Sequence, residues 1–282
     1  MAIEEKTIAA GGHTWFYREV NPTPNNQKPP VLLLHGLLSQ SYTWTEVLPE
    51  LEQQRFRAIA PDWLGCGNSD KPPRQDFSYT PDAFVEALSA FIDALELETI
   101  SLVTQGFLAS AGLQYALRNP HRIESVALFN TPVTTTSKLP WKIQQLGFPL
   151  VGEMLTQDPL VVDRVLEKGS GYIVQDGDLD VYRRPFLKGS DAGRSLFAIV
   201  RNLQLKQALA EISKGFSHWE KPTLIGWGEN DPWLPIEQAE ALSKQMRSSF
   251  LVKLEAAGHY PQEHWSGKVN QALLPFLVRK EI

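Results

Sequence analysis

Cysteine is almost missing from this 282-residue chain, with Cys66 alone, which excludes an intrachain disulfide and a cysteine-built zinc site. A reducing compartment such as the cytoplasm fits that usage. No run of Lys or Arg gathers the charge that a phosphate backbone demands, and the net charge is −5; a nucleic-acid partner is therefore excluded. No apolar span reaches the roughly 20 residues that cross a bilayer, because Val31 to Leu34 and Ile100 to Leu117 are broken by His35-Gly36 and by Thr104-Gln105-Gly106. The opening residues Met1 to Thr7 are acidic where a secretory leader is basic and then apolar, so neither secretion nor a transmembrane segment is expected. Internal repeats and low-complexity tracts are also lacking. Neither a metal nor a cofactor is expected.

What remains reads as one folded α/β unit. Hydrophobic residues make up 43% and charged residues 21%, the balance of a globular chain rather than a disordered one. A hairpin is expected over residues 6 to 20, turning at Gly11-Gly12 with Trp15 and Tyr17 on one face. Short branched apolar runs follow at Val31–Leu34, Arg57–Ala60, Ile100–Val103, Ile123–Phe129, Thr223–Gly226 and Phe250–Leu254, the pattern of strands buried on both faces. Between them, residues 44 to 53, 80 to 95, 107 to 118, 236 to 246 and 266 to 278 carry apolar positions at three- and four-residue steps. This alternation predicts an eight-stranded, mostly parallel sheet with helices on both faces. One interval is far too long for a simple crossover, so 133–219 is assigned to an inserted helical cap and 1–132 with 220–282 to the core. Leu139–Leu150, Pro159–Lys168 and Leu196–Ile212 are its expected helical pieces, jointed at Gly169-Ser170-Gly171 and Gly189-Ser190-Asp191.

Four local patterns stand between these elements. His35-Gly36-Leu37-Leu38 follows a buried strand, and Asp62-Trp63-Leu64-Gly65-Cys66-Gly67-Asn68-Ser69 follows the next. The run Thr104-Gln105-Gly106-Phe107-Leu108 leads from a strand straight into a small-residue helix. Gly226-Trp227-Gly228-Glu229-Asn230-Asp231-Pro232 and Ala257-Gly258-His259-Tyr260-Pro261 end the last two strands. In order and spelling they resemble the α/β-hydrolase superfamily, closest to the subgroup of haloalkane dehalogenases, epoxide hydrolases and small-ester hydrolases. The resemblance covers nearly the whole chain outside the cap. It implies that Asp231 is the acid and His259 the base, with Glu229 a competing carboxylate. It further implies that Gly36 permits the turn that aims a backbone N–H near Leu37 at the pocket, and that the Phe107 N–H is the second oxyanion donor. His35, Asp62 and Ser69 are expected to support loops, and Cys66 to pack. His13, His121, His218 and His264 lack any such context.

The resemblance also shows what is gone. Gly106 occupies the elbow position where the family carries Ser, Asp or Cys, and Leu108 replaces a second family glycine. Paired departures read as a site that has drifted as a whole. Dehalogenation needs an Asp nucleophile and two halide-binding N–H donors, whereas Gly106, Phe107 and Leu37 stand there, so it is excluded. Epoxide hydrolysis lacks the same Asp, and the cap tyrosines Tyr172 and Tyr182 alone do not restore it. Three readings stay open: a non-catalytic protein binding a small apolar molecule, or a protein partner; a cofactor-free enzyme using Asp231 and His259 as a general base; and a hydrolase whose nucleophile lies elsewhere, with Ser110, Thr104, Ser39 and Ser41 the nearest hydroxyls. Trp141, Phe148, Met154, Tyr172, Tyr182 and Phe186 would supply the lid or simply the cap's own core.

Overall fold

In a computed structural model describing residues 2–22 and 28–279, eight strands form one sheet. They are β1 (Glu4–Ala10), β2 (His13–Val20), β3 (Val31–Leu34), β4 (Ala58–Pro61), β5 (Ile100–Gln105), β6 (Ile123–Phe129), β7 (Thr223–Gly228) and β8 (Ser249–Leu254), in spatial order β1-β2-β4-β3-β5-β6-β7-β8. The hairpin β1–β2 is antiparallel and joins β4 antiparallel; all other pairs are parallel. Every residue of β3, β4 and β5 is buried, as continuous apolar strands covered on both sides must be. The two faces pack separate apolar clusters, one around Trp15, Trp63, Phe84 and Phe91, the other around Trp44, Phe56 and Phe276. This is the α/β-hydrolase fold.

Reversal of strand order around β3 opens a crevice at the carboxyl ends of the central strands, where such sheets place their ligands. The loops after β3, β5, β7 and β8 meet there. Asp62 fastens the first of them, accepting from the Ser41 N–H at 2.6 Å and the Asn68 N–H at 2.7 Å. The Ser69 hydroxyl donates to the Asp62 carbonyl at 2.7 Å and accepts from the Phe16 N–H at 2.9 Å. His35 is a fully buried brace: its Nε2 accepts from the Trp63 N–H at 3.1 Å, and burial holds its pKa below the ordinary value.

Between β6 and β7 the chain is helical but segmented differently from expectation. Leu139–Leu150 yields only one turn, Trp141–Gln144, and a 3₁₀ turn, Gln145–Gly147, because Gly147 and Pro149 interrupt it. Leu196–Ile212 is two helices, Asp191–Asn202 and Leu205–Phe216, parted at Gln204 with φ +44°. The helix Leu160–Ser170 runs through Gly169 and stops at Gly171 (φ +67°), so that joint is one residue wide. A further helix, Asp176–Lys188, carries Pro185 inside it and had no signal in the apolar period. On the core side, helix 107–118 begins only at Ser110, since 106 to 109 form the elbow itself. The expected helix 44–53 is a 3₁₀ turn, Ser41–Trp44, followed by Leu48–Gln53.

Candidate functional site

Asp231 and His259 stand on adjacent loops after β7 and β8, and the fold brings them together: His259 Nδ1–H donates to Asp231 Oδ2 at 2.7 Å. Both side chains are 1% exposed. A buried carboxylate needs every lone pair satisfied, and Asp231 achieves this. Its Oδ1 accepts the N–H groups of Trp233 (2.8 Å) and Leu234 (3.1 Å), and its Oδ2 also accepts Asn130 Nδ2 at 2.7 Å. Glu229 is exposed and takes no part.

The histidine is held as firmly. Its backbone N–H donates to the Gly169 carbonyl at 2.8 Å, and its carbonyl accepts from Gln105 Nε2 at 2.7 Å. The ring stacks on Phe107 (centroids 5.4 Å apart, 28° between planes) and is flanked by Trp233 at 4.7 Å and Tyr260 at 4.9 Å. Because a carboxylate only accepts, Nδ1 carries a proton, and in the neutral form of the ring Nε2 keeps a bare lone pair. That atom has no hydrogen-bond partner among the described residues.

Nε2 faces the elbow. Gly106 has φ +77°, and a Cβ built on it would lie 3.4 Å from Nε2 and 3.0 Å from the Gly36 Cα. The turn after β5 thus takes the left-handed conformation at a residue that carries no side chain. Gly36 is needed for the same approach, since a Cβ there would stand 3.0 Å from the Gln105 carbonyl oxygen. The backbone N–H groups of Leu37 and Phe107 have no acceptor among the described residues. His259 Nε2 thus stands beside Gly106, and the two N–H groups belong to the residues that directly follow Gly36 and Gly106 in the chain.

No alternative hydroxyl hydrogen-bonds to His259 among the described residues. Ser110 Oγ donates to the Phe107 carbonyl at 2.7 Å, Thr104 pairs with Thr131 at 3.1 Å, and Ser41 accepts from Arg18 at 2.6 Å. Ser39 Oγ is buried without a partner. Cys66 is packed against the core, and burial pushes its thiol up to about 12. A cavity of about 30 Å³ adjoins Leu37, walled by Leu38, Val162, Tyr182, Leu196 and Ile199. Of the expected lid residues, Tyr182 is buried and Phe186 half-buried, whereas Trp141, Phe148, Met154 and Tyr172 are exposed.

The residues that reasoning from sequence missed are amides and rings. Asn130 has φ +44° and bridges the site, its Oδ1 accepting from the Gly228 N–H at 2.9 Å while Nδ2 reaches Asp231. Its place after a predicted strand, where some relatives put the acid, was the available signal. Gln262 joins Thr43 (2.7 Å) to Gln105 (3.1 Å) behind His259, and Tyr182 hydrogen-bonds to Glu263, tying the helix Asp176–Lys188 to the loop after β8. Nothing local in the sequence announces those contacts. Among the described residues no group of His, Cys, Asp and Glu is arranged to hold a metal, and no helix is long and apolar enough to cross a membrane.

A family model described as alpha/beta hydrolase fold matches residues 29–166. The chain is 26% identical over 265 residues to a haloalkane dehalogenase of Mesorhizobium japonicum, covering 88% of this chain and 84% of that one. It is 27% identical over 274 residues to a cis-3-alkyl-4-alkyloxetan-2-one decarboxylase of Shewanella oneidensis, covering 90% and 84%. A crystal structure of a haloalkane dehalogenase from Bradyrhizobium elkani superposes with a TM-score of 0.88 over 99% of each chain at 24% identity, a likeness of fold.

Proposed function

Since the chain belongs to the α/β-hydrolase superfamily, and lacks the side chain through which such an elbow attacks, we propose that it is a non-covalent member that binds a small, largely apolar molecule under a helical cap formed by 133–219. The observation that carries this reading is the gap at Gly106: the backbone is set at φ +77°, and Nε2 lies 3.4 Å from an atom that does not exist. In this reading the groups that meet the ligand at that gap are one acceptor, Nε2 of the neutral imidazole, and two donors without an acceptor among the described residues, the N–H groups of Leu37 and Phe107. A hydroxyl or an un-ionised carboxyl answers both, accepting from the N–H groups and donating to Nε2. The cavity that adjoins Leu37, lined by Leu38, Val162 and Leu196 with Ser39 and Gln40 among them, would receive the rest of the ligand, which is therefore largely apolar. A cavity of about 30 Å³ holds a water or two rather than such a ligand. Binding thus requires the helices Leu160–Ser170 and Asp191–Asn202 to yield.

Dehalogenation does not fit, despite the relatives: Leu37 and Phe107 offer no side-chain N–H to a halide, and residue 106 offers no carboxylate. The test is titration with octanol and octanoic acid alongside a screen of esters, thioesters and lyase substrates. Saturable binding, weakened about ten-fold in His259→Ala by loss of one buried hydrogen bond, with no turnover, is the expected result. Turnover that His259→Ala abolishes would overturn it.

A second reading rests on Asp231. Four hydrogen bonds hold this carboxylate against His259, which is more order than ligand binding alone demands. In that reading His259 Nε2 takes a proton from bound substrate or from water in the Gly106 gap, and Asp231 stabilises the imidazolium. The same screen separates the two.

A further inference from the structure

Apart from Val278, every large apolar side chain left exposed among the described residues lies between β6 and β7. Five fall between 141 and 154: Trp141 (62% exposed), Phe148 (39%), Leu150 (81%), Val151 (46%) and Met154 (69%). Trp141 and Phe148 meet edge to face at 5.5 Å. Val151 and Met154 lie three apart in the helical turn Val151–Leu155 and share a face of it, and Leu150 directly precedes that turn. Five exposed large apolar side chains within residues 141 to 154 are more than scattered surface leucines require.

The backbone within this stretch is strained. Leu150 has φ +66° and ψ −58°, and the Val151 N–H donates to the Pro149 carbonyl at 2.8 Å across it; this is a γ-turn with positive φ, a rare and unfavourable form. Strain of this kind persists where it serves a contact. Here it holds the leucine side chain 81% exposed.

From these exposed side chains we infer that the segment 138–154 docks on an anionic lipid surface. Charge supports that occupant. Lys138 and Lys142 are exposed at its edge without an ion pair among the described residues, against one carboxylate in the segment, Glu153, in a chain whose net charge is −5. Tryptophan beside lysine, with leucine and methionine projecting past them, is the side-chain chemistry of a bilayer interface. A second copy fits poorly. Five side chains fall short of the roughly 20 residues a side of a stable interface, and patch against patch would set the lysines of one copy near those of the other.

Vesicle co-sedimentation tests this directly, using phosphatidylcholine alone and phosphatidylcholine with an equal part of phosphatidylglycerol. The full chain is expected to pellet with the mixed vesicles. Leu150→Ser with Met154→Ser is expected to lower the bound fraction about ten-fold, and Lys138→Glu with Lys142→Glu to erase the preference for phosphatidylglycerol. All four side chains are exposed, so unchanged near-UV circular dichroism will show the variants folded. Wild-type protein staying in the supernatant, or the Leu150/Met154 variant pelleting equally well, would overturn the inference. So would a dimer in sedimentation velocity that the same variant disperses, without vesicle uptake.

Discussion

The two halves of the candidate site have been treated differently by the sequence. On the side of β7 and β8, Asp231 and His259 keep a geometry in which the carboxylate accepts four hydrogen bonds and the imidazole is clamped by its own backbone and three aromatic rings. On the side of β5, the backbone turn survives and the side chain is gone. On the proposed reading the difference teaches that polar order and attacking atom are separable in this fold: the first is a network, the second a single residue. A buried network resists piecemeal loss, because each removed member strands its partners. An elbow residue at positive φ has no such protection, since glycine relieves its strain.

Breaking the ordered half should have the largest effect. Asp231→Ala leaves a buried imidazole N–H, an amide and two backbone N–H groups unpaired, and is expected to lower unfolding stability by about 3–5 kcal/mol in urea titration. Asn130→Ala strands the Gly228 N–H and one Asp231 contact and places alanine at φ +44°; about 2 kcal/mol is expected. On the other half, Gly106→Ala meets only positive φ and the Gly36 Cα at 3.0 Å, so about 1–2 kcal/mol is expected. If Gly106→Ala proved costlier than Asp231→Ala, the contrast between the halves would be wrong.

The smallest effect concerns Cys66. Burial raises its thiol from the ordinary 9.0 to about 12, so the fold holds a proton that the unfolded chain releases. The resulting stability is complete below pH 9 and is lost as pH rises toward 12. Tyr42 and Tyr79, also raised to about 12, act in the same direction. Alkylation by iodoacetamide at pH 8 should run at least ten-fold slower than for free cysteine and accelerate on unfolding; equal rates would contradict the packed role.

Much of the fold was legible in the sequence. Apolar runs such as Val31–Leu34 give buried strands because nothing else fits both faces of a parallel sheet, and the loops that bring Asp231 to His259 and set the turn at Gly106 are spelled locally. The segmentation between β6 and β7 was not, because Pro185 sits inside a helix and Gln204 breaks one without proline or glycine. Asn130, Gln105 and Gln262 were hidden for another reason. Their partners lie 98 to 219 residues away, and an amide's role exists only once those partners arrive.

Intact-mass spectrometry after incubation with an activated short-chain ester, on wild type and Gly106→Ser side by side, tests the missing attack most directly. Wild type is expected to show no adduct, while the variant, whose new hydroxyl would stand beside His259 Nε2, gains one acyl group. An adduct on the wild-type chain, mapped to any residue at the Gly106 gap and lost in His259→Ala, would contradict the non-covalent reading.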